Sequence, residues 1–343
     1  MGVQITSLLK SKEIDIGSLS GRVLAVDSYN MLYQFLSTIR QRDGSLLRDS
    51  KGNITSHLSG LFNRTINLMK LNLNLIYVFD GAAPRLKQIE RERREAIKEE
   101  AHKKYKEAVQ REDIEEMRKF ASRTSRLSEE MINESKEVLD ALGVPVLQAP
   151  SEGEAQAAEL TKGMAYAVAS QDTDSLLFGA KRVVKNLTMN LRRKKPGKLA
   201  YGEINPELIE LEENLKSLNL SREQLVCLAM LVGTDYNVGG ITGVGPKNAL
   251  KIVQEYKVPE KIFQHVNWSK YFENSWEEVF ELFINPEVVK CELVNVEWKK
   301  VDRERVIRIM CDKHEFSQER INNALEELEK ITNKKQKGLS EFF

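Results

Sequence analysis

Three apolar runs in this chain each deliver acidic residues at their carboxyl end, and that punctuation restricts the fold more than any other feature. Val23-Leu24-Ala25-Val26 runs into Asp27, and Leu75-Ile76-Tyr77-Val78-Phe79 runs into Asp80. Ala165-Tyr166-Ala167-Val168-Ala169 is followed by Asp172 and Asp174. Continuous apolar strands without polar alternation are buried on both faces, as in a parallel sheet covered by helices. Helical periodicity at Ser28–Ile39 and Thr55–Leu71 supplies the crossover, with a polar, turn-rich loop from Arg42 to Asn53 between. Ligands of such sheets bind beyond the carboxyl ends of the strands. The sequence therefore predicts an α/β fold whose mostly parallel central sheet gathers these acids at one edge.

The stretch Pro150–Phe178 adds Glu152 and Glu154 at the mouth of a short Ala-rich helix, with Lys162 the only cation beside them. In an extended segment, residues two apart share a face, so Asp172 and Asp174 reach one ligand. Clustered carboxylates repel one another and shift towards protonation unless a cation neutralises them. Hard oxygen donors without imidazole or thiolate suit Mg²⁺ or Mn²⁺. A capping box formed by Ser151 and Glu154 is the purely structural alternative for the two glutamates.

The 52 basic and 51 acidic residues nearly cancel, so the placement of charge matters more than its sum. From Pro84 to about Glu130 charges dominate, which predicts a helical excursion that belongs to no core. Arg85, Lys87, Arg91, Arg93 and Arg94 open it just after Asp80, where cations for a phosphate would be needed. Met131–Leu142 reads as an amphipathic helix and Val144–Leu147 as a strand. Val183–Leu187 and Leu199–Ile204 flank the basic run Arg192–Lys198, read as a hairpin tip that is either a solvated loop or a contact for a nucleic-acid backbone.

Ser221–Val232 is an apolar helix capped by Ser221 and followed by Gly233-Thr234-Asp235-Tyr236, a further acid. Gly239–Ala249 then fits a helix, Gly-x-Gly turn, helix arrangement. There bare backbone N–H groups at Gly243 and Gly245 would hold a phosphate with help from Lys247 and Lys251. A Gly-rich turn used only for tight packing is the other account of it. The last third is helical, with Trp268, Trp276 and Trp298 as expected core anchors. Cys227, Cys291 and Cys311 and the four histidines show no metal-ligand spacing, and no apolar run reaches the length of a membrane span.

With these residues in place, the chain resembles the archaeal-type flap endonucleases of the XPG-like structure-specific 5′ nuclease family. The likeness rests on Val26-Asp27-Ser28-Tyr29-Asn30, Thr55–Phe62, Tyr77-Val78-Phe79-Asp80-Gly81, Pro150–Ala155, Ser170–Asp174 and Gly233–Tyr236, in order and at family spacing over essentially the whole chain. The resemblance implies a PIN-like 5′ nuclease fold divided as follows. Residues 1–83 form an N-terminal nuclease region, 84–130 a helical arch and 131–220 an internal nuclease region with the basic hairpin. Residues 221–332 carry a helix-hairpin-helix and a helical C-terminal part, and 333–343 form a flexible tail. It also implies that Asp27, Asp80, Glu152, Glu154, Asp172, Asp174 and Asp235 hold two Mg²⁺ ions, with Mn²⁺ an alternative, about 3.5–4 Å apart.

By the same resemblance Lys87 and Arg94 act on the scissile phosphate. Gly2, as mature N-terminus, joins Tyr33, Arg40, Thr55, Ser56, Gly243, Gly245, Lys247 and Lys251 in binding DNA, and a monovalent cation sits at the helix-hairpin-helix. The tail, with Gln336, Leu339, Phe342 and Phe343, is similar to a peptide that docks on a sliding clamp (PCNA). The implied activity is Mg²⁺-dependent removal of 5′ flaps from branched DNA in replication, as in Okazaki fragment maturation, and in repair, together with 5′-3′ exonuclease activity. Sibling exonucleases, bubble or gap cutters, and a non-catalytic junction-binding protein are the alternatives. The absence of a long basic extension after the tail suggests an archaeal, cytoplasmic protein, a monomer on its own, where a eukaryotic one would be nuclear.

Overall fold

The computed structural model describes residues 3–111, 113–121, 124–187, 191–194 and 201–340, and its apolar runs form the middle of a seven-stranded sheet. Strands β1 (Lys12–Glu13) and β2 (Val23–Asp27) lead through helices α1 (Ser28–Thr38) and α2 (Ser56–Lys70) to β3 (Asn74–Phe79). The charged excursion forms α3 (Gln88–Gln110) and α4 (Ile114–Ala121), which pack on each other. The chain returns through α5 (Glu129–Ala141), β4 (Val146–Gln148), α6 (Gly153–Leu160), β5 (Ala167–Ala169) and β6 (Arg182–Lys185). A hairpin of β7 (Leu191–Lys194) and β8 (Tyr201–Ile204) precedes β9 (Glu207–Glu210). Helices follow: α7 (Leu211–Leu218), α8 (Arg222–Val232), α9 (Pro246–Tyr256), α10 (Pro259–His265), α11 (Trp276–Ile284), α12 (Arg303–Ile307) and α13 (Gln318–Ser340).

The sheet order is β1-β9-β6-β5-β2-β3-β4. From β4 to β6 neighbouring strands run parallel, while β9 is antiparallel to β6 and β1 antiparallel to β9. The chain moves outward from β2 through β3 to β4 and then jumps back to β5 on the other side of β2. The junction of β2 and β5 is therefore the point where strand order reverses, the place where sheets of this kind bind ligands. Asp27 ends β2, and Asp172 and Asp174 follow β5, so that point is lined with carboxylates.

Successive strand side chains alternate between two cores, as the period of two requires. Ala25, Ile76, Val78, Val168 and Val183 join the core that also takes in Leu160 of α6 and the apolar residues of α8. Leu24, Val26, Leu75, Tyr77, Phe79, Ala167 and Val184 join the other, with residues of α1, α2, α5 and α13. Both faces are covered, which is why the strands read as unbroken apolar runs. Residues 1–83 and 131–220 contribute strands to this one sheet, so the two nuclease regions are a single structural unit.

Several expectations are corrected. Val183–Lys185 belongs to β6 and pairs with β9, so the hairpin that carries the basic run is a separate pair, β7 and β8, in the register Leu191↔Ile204. Strand partners are non-local, and sequence proximity misassigned them. Arg192, Arg193 and Lys194 lie in β7, and the tip at residues 195–200 lies outside the described residues. Trp268 is buried, but Trp298 is 39% exposed and uses its indole N–H to reach the Leu75 carbonyl at 3.0 Å. The expected polar leash from Lys334 to Lys337 is helical, because α13 continues to Ser340; Lys and Gln are good helix formers. Gly2, Phe342 and Phe343 lie outside the described residues.

Candidate active site

Each carboxylate is placed by a local reason. Asp27 ends β2 and caps α1, its Oδ1 accepting the Asn30 N–H at 3.0 Å while Oδ2 accepts from the Ser170 hydroxyl at 3.2 Å. Asp80 follows β3 and accepts the Gly153 N–H at 2.8 Å. A side chain at Gly153 would put its Cβ 2.4 Å from Asp80 Oδ1, so glycine there leaves room for the Asp80 carboxylate in this position. Glu152 is the N-cap residue of α6 and Glu154 lies in its first turn. Ser151 donates to the Ala82 carbonyl and no side chain caps α6, so the capping-box alternative is not realised.

Asp172 and Asp174 are not in an extended segment. Asp172 sits in a bend whose N–H donates to Ser170 Oγ at 3.2 Å, and Asp174 opens a 3-10 turn, Asp174–Leu176. Short polar residues such as Ser170 and Thr173 favour that turn. Both acids still face the cleft. The Asn30 side-chain amide donates to Asp172 at 2.7 Å, and the Val3 N–H donates to Asp174 at 2.7 Å. Asn30, Ser170 and Val3 were missed as site residues, although Asn30 and Ser170 lie in the strand-end motifs themselves.

A single cleft of 870 Å³ is lined by all seven acids, Asp27, Asp80, Glu152, Glu154, Asp172, Asp174 and Asp235, together with Lys87, Arg94 and Tyr33. Compensating charge comes from the arch, since Lys162 pairs with Glu159 at 2.5 Å instead. Lys87 Nζ lies 2.5 Å from Glu152 and 3.4 Å from Asp235, and Arg94 donates to both oxygens of Asp235 at 2.8 Å. Burial opposes the Lys87 charge, but Glu152 and Asp235 outweigh it and raise its pKa.

The acids farther from these cations carry the strain of proximity. Burial, with Asp80 and Asp172 adding to it, pushes Asp27 up to about 7. Burial and Asp172 likewise push Asp174 up to about 7, and burial and Glu152 push Asp80 up to about 6 despite Lys87. Burial, then Asp174, Asp27 and Asp172, hold Glu154 well above the usual carboxylate range. Among the described residues no three His, Cys, Asp or Glu side chains form a finished coordination shell. The donor set nevertheless fits a hard divalent cation: oxygens only, from several elements, with Asp27, Asp80, Glu154 and Asp174 pushed towards protonation first by burial and then by neighbouring acids.

The other expected contacts are distributed unevenly. Tyr33 is 37% exposed in the cleft, with Lys98 Nζ 5.3 Å from its ring centre. Arg40 is turned inward, donating to the Gly44 carbonyl and to Ser125 Oγ at 2.7 Å each. Thr55 and Ser56 are buried; the Thr55 N–H donates to the Leu47 carbonyl at 2.8 Å and Ser56 Oγ accepts the Leu47 N–H at 2.9 Å, so both tie down the 42–53 loop. Gly245 caps α9 with Pro246 at its first position, and a Cβ at Gly243 or Gly245 would meet nothing within 4 Å. Lys247 and Lys251 are exposed on that helix.

Residues 1–101 match the XPG N-terminal domain and residues 143–235 the XPG I-region. Flap endonuclease 1 of Thermococcus onnurineus is 51% identical over 345 residues, spanning 100% of this chain and 99% of that protein. The chain belongs to the XPG nuclease family, on its flap endonuclease branch. Flap endonuclease-1 from Methanococcus jannaschii has the same XPG fold, with a TM-score of 0.74 and 38% identity over 97% of this chain and 100% of that one. The catalytic core of Rad2, solved in complex with DNA substrate, shares the fold at a TM-score of 0.68 and 24% identity, covering 94% and 97%. XPG-family nucleases work with divalent metals, in keeping with the all-oxygen donor set described above.

Proposed function

We propose that this protein removes 5′ flaps from branched DNA by hydrolysing one phosphodiester bond at the junction, and that it also degrades 5′ ends exonucleolytically. The observation that carries the reading is the meeting of seven carboxylates and two arch cations in one cleft at the strand-order reversal. Asp27, Asp80, Glu152, Glu154, Asp172, Asp174 and Asp235 would hold two Mg²⁺ ions, which supply an activated water and neutralise charge on the phosphate and leaving oxygen.

The chain's own residues do the rest. Lys87 and Arg94 face the same cleft and would exchange their carboxylate partners for oxygens of the scissile phosphate, stabilising charge that builds in the transition state. Asn30 and Ser170 fix Asp172 and Asp27. Tyr33 offers a ring face to a base next to the cut. The open glycine turn before α9, with Lys247 and Lys251, would grip the uncleaved duplex by its backbone without reading sequence. Gln336, Leu339, Phe342 and Phe343 would tether the enzyme to a sliding clamp.

Cleavage of labelled double-flap, single-flap, blunt-duplex and bubble DNA in Mg²⁺ tests the reading. Faster cutting of flaps is the expected result; preference for the duplex end or the bubble would overturn it in favour of a sibling nuclease.

A further inference from the structure

One side chain on the arch is out of character with its surroundings. α3 is a charged, largely solvated helix, yet Glu90 is 3% exposed. A carboxylate withdrawn from water costs stability unless it is paired and hydrogen-bonded. Glu90 is held by two guanidinium groups, Oε1 accepting from Arg94 Nε at 2.8 Å and Oε2 from Arg93 at 2.9 Å.

The consequence lies at the far end of Arg94. A guanidinium is a rigid planar fork, so fixing Nε against Glu90 fixes the direction of the terminal nitrogens. One of these, Nη2, is the nitrogen that meets Asp235 in the cleft. The chain Arg93, Glu90, Arg94, Asp235, Lys87, Glu152 is thus one continuous network from the arch surface to the acids. A solvent-exposed i, i+4 pair contributes little because both side chains wander. Glu90 is buried at the base of the arch and clamped from both sides, so Arg94 is confined to one direction.

We propose that Glu90 is a positioning residue for the reaction: it aims the Arg94 guanidinium into the cleft, so that the cation is already oriented when the phosphate arrives. The inference rests on the reading of Arg94 as a cation acting on the phosphate. Preorganisation of this kind acts on the chemical step more than on affinity.

The test is single-turnover cleavage of flap DNA at saturating enzyme, with affinity and melting temperature measured alongside, for Glu90→Gln, Arg94→Ala and the double variant. Gln keeps the shape of Glu and removes its charge. Glu90→Gln is expected to slow the saturated rate about tenfold, the scale of coupling between residues in one network, with affinity nearly unchanged. Because Glu90 acts through Arg94, the double variant should be no slower than Arg94→Ala alone. A double variant slowed by the product of the two effects, or a Glu90→Gln defect confined to affinity or melting, overturns the proposal. If Arg94→Ala is slow and Glu90→Gln is not, the positioning role alone falls. If Arg94→Ala itself leaves the saturated rate intact, the reading of Arg94 falls and takes this inference with it.

Discussion

Both side-chain oxygens of Asp235 accept from a single nitrogen of Arg94, at 2.8 Å each. The contact clasps the arch helix α3 to the turn that follows α8, across the mouth of the acidic cleft. A phosphate entering the cleft would compete with Asp235 for Arg94 and with Glu152 for Lys87. These two cations are therefore placed to change partners during the reaction.

Replacing either cation should consequently affect the chemistry more than binding. Lys87→Ala and Arg94→Ala are each expected to slow saturated single-turnover cleavage by about 10²–10³, the scale of losing one preorganised donor. Affinity for flap DNA, spread over many backbone contacts, should change far less. Rapid-quench cleavage and fluorescence-anisotropy binding separate the two. An unchanged saturated rate with weakened binding would mean that the arch is only a charged surface.

Asp172 offers the cleanest test of the metal assignment. Its oxygen is held by the Asn30 amide at 2.7 Å, and it joins Asp80 in raising Asp27. Asp172→Ala is expected to abolish cleavage in Mg²⁺ while leaving junction binding largely intact. Isothermal titration with Mg²⁺ should show weakened uptake. Near wild-type cleavage would remove Asp172 from the ligand set.

The raised acids also predict how pH and metal couple. Burial and neighbouring acids push Asp27 and Asp174 up to about 7 and Asp80 up to about 6, above the ordinary aspartate value of about 4. A carboxyl whose folded pKa is raised binds its proton more tightly when folded. Its contribution to stability is full below the ordinary value and is lost as pH rises through the folded pKa. Between about pH 4 and pH 7 these three groups therefore destabilise the metal-free protein progressively. Mg²⁺ should raise the melting temperature more at pH 8 than at pH 5, and the difference should shrink in Asp174→Asn. An equal Mg²⁺ effect at both pH values would argue against metal binding by these acids.

A second buried cluster has the opposite sign. Glu134 on α5 is nearly buried, with His57 at 3.4 Å, His314 at 3.1 Å and Lys313 at 3.2 Å. Burial would raise it, but the neighbouring His57, His314 and Lys313 together lower its pKa. Its contribution is present above the ordinary glutamate value and is lost as pH falls through the lowered one. Glu134→Gln should cost about 1–3 kcal/mol at neutral pH, by removing the buried anion that Lys313 meets at 3.2 Å. Urea unfolding at pH 7 and pH 3 should show that gap narrowing in acid.

Much of this architecture could be read from the chain because its strongest signals are local. An apolar run that ends in Asp fixes both a strand and the edge at which its acid lies, so Asp27 and Asp80 were placed without knowledge of strand order. Glu90 was illegible: a glutamate among arginines on a charged helix looks solvated, and only the packing of the arch base buries it. The pairing of β6 with β9 was hidden for a similar reason, because partners chosen across sequence leave no mark in either strand. Arg40 and Ser56 looked like surface contacts, and their internal bonds appear only once the 42–53 loop folds over them. Trp298 failed as a core residue because half of a large amphipathic ring can stay in water while its N–H finds a carbonyl.

The tail supplies the last prediction. α13 packs against α2 and continues as helix to Ser340, so Gln336 and Leu339 lie in its last turns. Leu339, Phe342 and Phe343 follow the i, i+3, i+4 spacing that puts three side chains on one helical face. Such a face could fill an apolar pocket on a ring-shaped clamp, with the Gln336 amide at its rim. Aromatic anchors carry much of an interface's energy, so each truncation should cost about 2 kcal/mol or more in clamp affinity. Tethering raises local enzyme concentration and leaves the cleft unchanged. The double variant Phe342→Ala/Phe343→Ala should therefore cut flap DNA at the normal rate alone and lose its stimulation by the cognate clamp. Stimulation that survives would place the docking site elsewhere, and a loss of unstimulated cleavage would mean that the two aromatics fold back onto the enzyme.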